Sequence, residues 1–180
     1  MRVKRILVPI DFSTASLKAL DEAIELSRSL KAELNVVFVL APLQYPYMVD
    51  FLGTAVGLGL MVEEERKWAR KEVEKLVARL AKRGVKCRAL IEHGSPQERI
   101  VETAKRIGAD LILMSTHGRT GLSHLMLGSV SERVVRTAPC SVLIVRSAAR
   151  QRGANRRAPA KRSATAASSN TRRSHAPAAR

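Results

Sequence analysis

Five short runs of apolar, largely β-branched residues recur along the first 146 positions. They are Arg5–Ile10, Leu34–Leu40, Val85–Ile91, Asp110–Met114 and Ser141–Val145. Between them the apolar positions change period. Leu17, Leu20, Ala23 and Ile24 recur at helical spacing behind Ser13, a hydroxyl suited to capping a helix start. Ala69, Val73, Leu76, Val77 and Leu80 mark a long amphipathic helix. Its first turn is expected at the acidic Glu63, Glu64 and Glu65, its last at Lys82 and Arg83, with Gly84 as a left-handed stop. Ser95-Pro96-Gln97-Glu98 reads as a capping box with proline in the first turn, followed by a stripe of Ile100, Val101, Ala104 and Ile107 and a stop at Gly108. A last helix is expected through Val130, Val134 and Val135.

The pattern is β-α-β-α-β-α-β-α-β. Strands this apolar, separated by helices, belong to a parallel sheet covered on both faces, and right-handed crossovers make it a doubly wound α/β fold. Ligands of such sheets bind outside the carboxyl ends of the strands, where strand order reverses. The loops to search therefore open at Asp11, Ala41, His93 and Ser115.

Charge separates the chain into two parts. Of the 32 basic residues, nine lie in 147–180, which holds no acidic residue, so over half of the net charge of +16 falls in that segment. It is built from Ala, Ser, Arg, Pro and Thr and cannot bury enough surface to offset its ordering entropy. The expected organisation is a folded domain over 1–146 and a disordered basic tail over 147–180. Such a tail either attracts polyanions such as nucleic acid without reading sequence or is simply solvated; with no aromatic side chain, any binding should be weak and salt-sensitive.

Composition excludes several classes. Two cysteines, Cys87 and Cys140, cannot form a disulfide scaffold or a four-cysteine zinc site, and both read as buried inert thiols. Six aromatic residues are few for a nucleic-acid stacking platform. The apolar run after Met1–Arg5 is broken at Asp11, too early for a signal-peptide core, and Val49–Val62 is shorter than a spanning helix needs, so a cytoplasmic location and no transmembrane segment are expected.

The segment Ser115–Ser129 (STHGRTGLSHLMLGS) carries the most chemistry. It joins a strand to a helix. Gly118, Gly121 and Gly128 let backbone approach a ligand, and Gly128-Ser129 open a helix whose free N–H groups suit phosphate. Ser129 and Ser131 add hydroxyls, while His117 and Arg119 add polar or positive contacts. The plainer alternative is a loop whose glycines only turn corners.

These residues, with Ile6–Ser13 (ILVPIDFS), Gly94-Ser-Pro, Ala109–Arg119, Leu127–Val130 and Ala138–Val145, resemble the universal stress protein family in several ordered blocks across about residues 3–146. The family's ATP-binding branch carries Gly-x2-Gly-x9-Gly-Ser/Thr. Gly118, the nine residues 119–127 and Gly128-Ser129 match it, while Ser115 stands where the first glycine would be. The resemblance implies a Rossmann-like five-stranded parallel sheet of order 3-2-1-4-5. It implies ATP as cofactor, with Mg2+. Pro9, Ile10 and Asp11 would line the adenosine end, Val39 would flank adenine, and Met114 and Ser115 would lie against the ribose. His117, Gly118, Arg119, Gly128, Ser129, Val130 and Ser131 would surround the phosphates. It also implies a homodimer through Ser141–Val145, which at a sheet edge is a pairing template.

Individual residues keep plainer readings. Asp11 either contacts ligand or shapes the turn into the next helix. His117 is a phosphate contact, a base or a backbone-bonded loop histidine. Trp68 reads as packing. Tyr45–Leu60 is either a helix extension or a mobile lid. No nucleophile dyad or Walker lysine is present, so rapid turnover is not expected. The function that the resemblance implies is a stress-responsive, ATP-dependent switch with at most slow hydrolysis. The alternative is a nucleotide-free dimeric partner-binding module.

Overall fold

The computed structural model describes residues 2–42, 55–116 and 128–146, with the side chains of 55–58 excepted. The tail at 147–180, the segment 45–54 and the candidate residues His117, Gly118 and Arg119 lie outside the described residues.

Five strands, β1 (Arg5–Ile10), β2 (Glu33–Leu40), β3 (Cys87–His93), β4 (Leu111–Ser115) and β5 (Ser141–Val145), form one parallel sheet in the order β3-β2-β1-β4-β5. Among the described residues four helices connect them: α1 (Thr14–Leu30), α2 (Ala55–Lys82), α3 (Pro96–Ile107) and α4 (Ser129–Thr137). Alternation along β1 explains why a continuous apolar run was needed. Ile6, Val8 and Ile10 point to a core shared with Leu20, Ile24, Leu76 and Leu80 of α1 and α2. Leu7 points the other way, to a core with Ile100, Val101 and Val134 of α3 and α4. A central strand buried on both faces has no polar face to present.

Three helices stop in the same way, and this moves two strand starts. Gly84 sits at φ 70°; its N–H donates to the Ala81 carbonyl, and the Val85 N–H donates to that of Leu80 at 3.0 Å. This is the left-handed stop with its apolar seal, since Val85 and Leu80 are both buried in one core. Val85 thus closes α2, and β3 begins at Cys87, not at Val85. Gly108 and Ala109 repeat the pattern after α3, with Gly108 at φ 60°. Any Cβ at Gly108 would stand 3.1 Å from the Arg5 guanidinium. Lys31 performs the same turn after α1 at φ 54°, without glycine's freedom.

Asp110 also precedes its strand. Its Oδ2 accepts the backbone N–H groups of Lys4 (2.8 Å) and Arg5 (2.9 Å), and its own N–H donates to the Arg5 carbonyl. Those two amide donors hold its carboxyl below the usual carboxylate range. A depressed folded-state pKa means stability that is fully present above the unfolded value near 3.9 and is lost as pH falls through the folded one. Asp110→Asn is therefore expected to lower the melting temperature at pH 7 and to flatten its fall below about pH 4. Thermal melts of both proteins between pH 2 and 7 check this; parallel curves would contradict it.

Three further expectations change. The acidic Glu63–Glu65 do not open their helix, because α2 already begins at Ala55. The described part of the Tyr45–Leu60 segment is thus helical, and Leu60, Met61 and Val62 are exposed on it. Ser95–Glu98 is not a capping box. The Ser95 side chain accepts no bond from α3, and the Glu98 and Arg99 N–H groups both donate to the Ser95 carbonyl instead. Val135 lies exposed on α4, with Val134 alone of the pair fully buried. Cys87 and Cys140 are half-buried, and burial pushes both thiols up. No helix among the described residues is long and apolar enough to cross a membrane.

Candidate functional site

The order β3-β2-β1-β4-β5 reverses between β1 and β4. Their following turns diverge to opposite faces and leave a crevice between them. A cavity of about 480 Å³ opens there. Ten of the thirteen expected site residues line it: Pro9, Ile10 and Asp11 at the end of β1, Val39 on β2, Met114 and Ser115 at the end of β4, and Gly128, Ser129, Val130 and Ser131 at the start of α4. The remaining three lie outside the described residues.

One end of the cavity is built for hydrogen bonding. The first intrahelical bond of α4 runs from the Glu132 N–H to the Gly128 carbonyl, at 2.9 Å. The N–H groups of Ser129, Val130 and Ser131 therefore have no acceptor within the helix. Gly128, the capping residue, has no side chain with which to cover them. Gly128–Ser131 line the cavity, and among the described residues no side-chain cap covers this dipole end.

The Thr116 carbonyl helps to fasten the frame of this end. The Thr116 oxygen accepts the Gly128 N–H at 2.9 Å and faces the Ser131 hydroxyl at 2.9 Å; that hydroxyl also lies 2.8 Å from the Gly128 carbonyl. Ser131 is almost fully buried. Its hydroxyl ties Thr116 to the start of α4, and the residue also lines the cavity. Ser129 keeps its place at the cavity wall.

Asp11 shapes the turn into α1, as one of its two readings has it. Its Oδ1 accepts the Ser13 N–H at 3.0 Å, which shapes the turn, and Ser13 Oγ accepts the Ser16 N–H at 3.1 Å as the cap of α1. The same Asp11 lines the cavity. The turn forces Phe12 to φ 62°, a rare conformation for a bulky residue. Its ring is thereby placed on Phe38, with centroids 5.0 Å apart.

The opposite end is apolar and aromatic. Phe38, Val39 and Leu40 of β2 and Ala41 just after it line the cavity together with Pro96 and Ile100 of α3 and Trp68 and Glu65 of α2. Apart from Val39 and the loop opening at Ala41, none of these was expected at the site. The aromatic residues carried no spacing signal, because their approach depends on how α2 crosses the sheet. Trp68 packs edge-on against Phe12 and Phe38, as expected of a packing residue, but is 42% exposed beside the cavity. Among the described residues no group of three acidic, histidine or cysteine side chains is placed to hold a metal ion.

Known proteins with this pattern are numerous. The family model "Universal stress protein family" matches residues 2–146. The universal stress protein MJ0531 of Methanocaldococcus jannaschii is 37% identical over 145 residues, covering 79% of this chain and 82% of the relative. The solved universal stress protein UspA of Lactobacillus plantarum superposes with a TM-score of 0.68 at 26% identity, over 81% of this chain and 99% of that one. Two solved structures at lower identity share the fold. One is a universal stress protein in complex with cAMP (22% identity, TM-score 0.59, 81% of this chain and 98% of that one), the other an Arabidopsis thaliana family member with AMP bound (21%, 0.56, 84% and 97%). The match spans all five strands and both loops that frame the crevice, and on that ground the chain belongs to the universal stress protein family.

Proposed function

We propose that the cavity binds ATP, accompanied by Mg2+, and that occupancy sets the state of a stress-responsive switch. The observation that carries this reading is the polarity of the site. Uncapped amides of α4 stand at one end and an apolar wall at the other, the complement of a molecule with phosphates at one end and a base at the other. The residues fit Mg2+ only as an ion carried mainly by phosphate oxygens, with the Asp11 carboxylate as a protein contact. Adenine nucleotides bound to proteins of this fold support the ligand class. His117, Gly118 and Arg119 are proposed as further phosphate contacts. The proposed role is binding, with at most slow hydrolysis.

Isothermal titration of the full chain with MgATP, and mass spectrometry of nucleotide released on denaturation, test the reading. Saturable one-site binding supports it; no heat and no released nucleotide would remove it. A nucleotide-free partner-binding module is the second reading. The observation that favours it is Ser115, buried at the end of β4, where the ATP-binding motif has glycine.

The dimer belongs to the same proposal. β5 is an edge strand paired only with β4, and Leu143 in its middle is 45% exposed. An apolar edge of this kind pairs with a second copy. Leu143→Lys is expected to convert a dimer to a monomer by analytical ultracentrifugation; an unchanged sedimentation coefficient would place the interface elsewhere.

A further inference from the structure

We propose that Trp68 is the specificity wall of the site, against which a flat heteroaromatic base lies, so that the protein takes nucleotides and not bare polyphosphates. The inference rests on the nucleotide reading and adds to it a residue from α2, an element outside the glycine motif.

The argument begins with the indole's surroundings. Trp68 meets Phe12 at 5.9 Å with an interplanar angle of 76°, and Phe38 at 6.0 Å and 65°. Edge-to-face contacts of this kind fix the position and tilt of a ring. Phe38 is buried in the sheet and Phe12 is held by the left-handed turn after β1, so both supports are rigid. The indole is thus held by two rigid rings yet 42% exposed, and it borders the cavity.

A large apolar ring held half in water is an unfavourable arrangement that a second flat apolar surface would relieve. The rest of the wall cannot discriminate. Val39, Leu40 and Ile100 accept any apolar group, and the α4 amides accept any anion. Of the two aromatic residues among the described lining, Phe38 is buried and Trp68 is exposed, so stacking falls to Trp68 and requires a ligand with a π-face of its own. Because every base has one, the wall distinguishes base from no base more than one base from another.

The chain contains one tryptophan, so its fluorescence reports on this position alone. MgATP added to the full chain should shift or quench that emission along a saturation curve, whereas inorganic tripolyphosphate should leave it unchanged. By calorimetry, Trp68→Leu should bind MgATP about tenfold more weakly, a change of about 1.4 kcal/mol. Tripolyphosphate affinity should stay the same, and Trp68→Phe should recover most of the loss. MgATP affinity equal in Trp68→Leu and the unmodified protein, or saturable binding with no change in emission, would overturn the inference and leave the nucleotide reading standing. Failure of the unmodified protein to bind MgATP would overturn both. The emission measurement needs no variant, so it decides the matter even if Trp68→Leu does not fold.

Discussion

Gly128→Asp is expected to make the protein more stable and to abolish nucleotide binding. The two effects come from one position. Gly128 has the extended backbone of a helix cap, at φ −62° and ψ 152°, which any residue adopts without strain. An aspartate there would accept an N–H from the first turn of α4 and place a negative charge at the positive dipole end. That contributes about 0.5–1 kcal/mol of stability relative to glycine. The same carboxylate would occupy the donors proposed for phosphate. A like charge 4 Å from a phosphate oxygen costs about 4 kcal/mol at an effective dielectric near 20, enough for a loss of at least about 100-fold. Thermal denaturation without ligand reads the first effect and calorimetry with MgATP the second. Gly128→Asn separates cap from charge: it should keep much of the stabilisation and lose less affinity. A Gly128→Asp protein that melts higher yet binds MgATP normally would show that phosphate does not sit on α4.

Leu113→Ala is expected to be the most damaging single truncation for stability, at about 3 kcal/mol, with a fall in melting temperature of roughly 10 °C. Leu113 is fully buried in the middle of β4, on the face packed by α1 and α2. Rigid strands on either side cannot close the space a missing isobutyl group would leave. Three kcal/mol is a large share of the about 5–15 that a domain of this size has in total. Denaturant unfolding measures it. Because Leu113 does not line the cavity, the fraction that remains folded should bind nucleotide with unchanged affinity. A loss below about 1 kcal/mol would mean that this face of the sheet repacks more freely than its burial implies.

Of the fold, the parts governed by local rules were readable from residue types. Five apolar runs became five strands because a strand buried on both faces admits no polar position. Gly84 and Gly108 became left-handed stops because they alone could take that conformation cheaply at those points. Errors arose where two local rules competed. Val85 and Asp110 have the composition or the neighbours of strand residues. Val85, though, seals a helix end, and Asp110 holds the backbone of Lys4 and Arg5, a hundred positions away in the chain. Ser95 looked like a cap, but its own carbonyl supplied the acceptor that its hydroxyl was expected to be.

The site divides along the same line. Its phosphate-like end was legible because a glycine before a helix uncovers amides wherever the rest of the chain goes; that property belongs to sequence alone. The tie from the Ser131 hydroxyl to Thr116 was not, since it runs across the segment 117–127. Nor was the aromatic wall. Phe12, Phe38 and Trp68 sit on a turn, a strand and a helix with no common spacing. Only the crossing of α2 over the sheet, decided by the packing of Leu76 and Leu80 into the shared core, brings them to one corner. Sequence determined which backbone groups are left without partners. Tertiary structure decided which side chains stand around them, because such contacts depend on the directions of whole elements and those are set by the core.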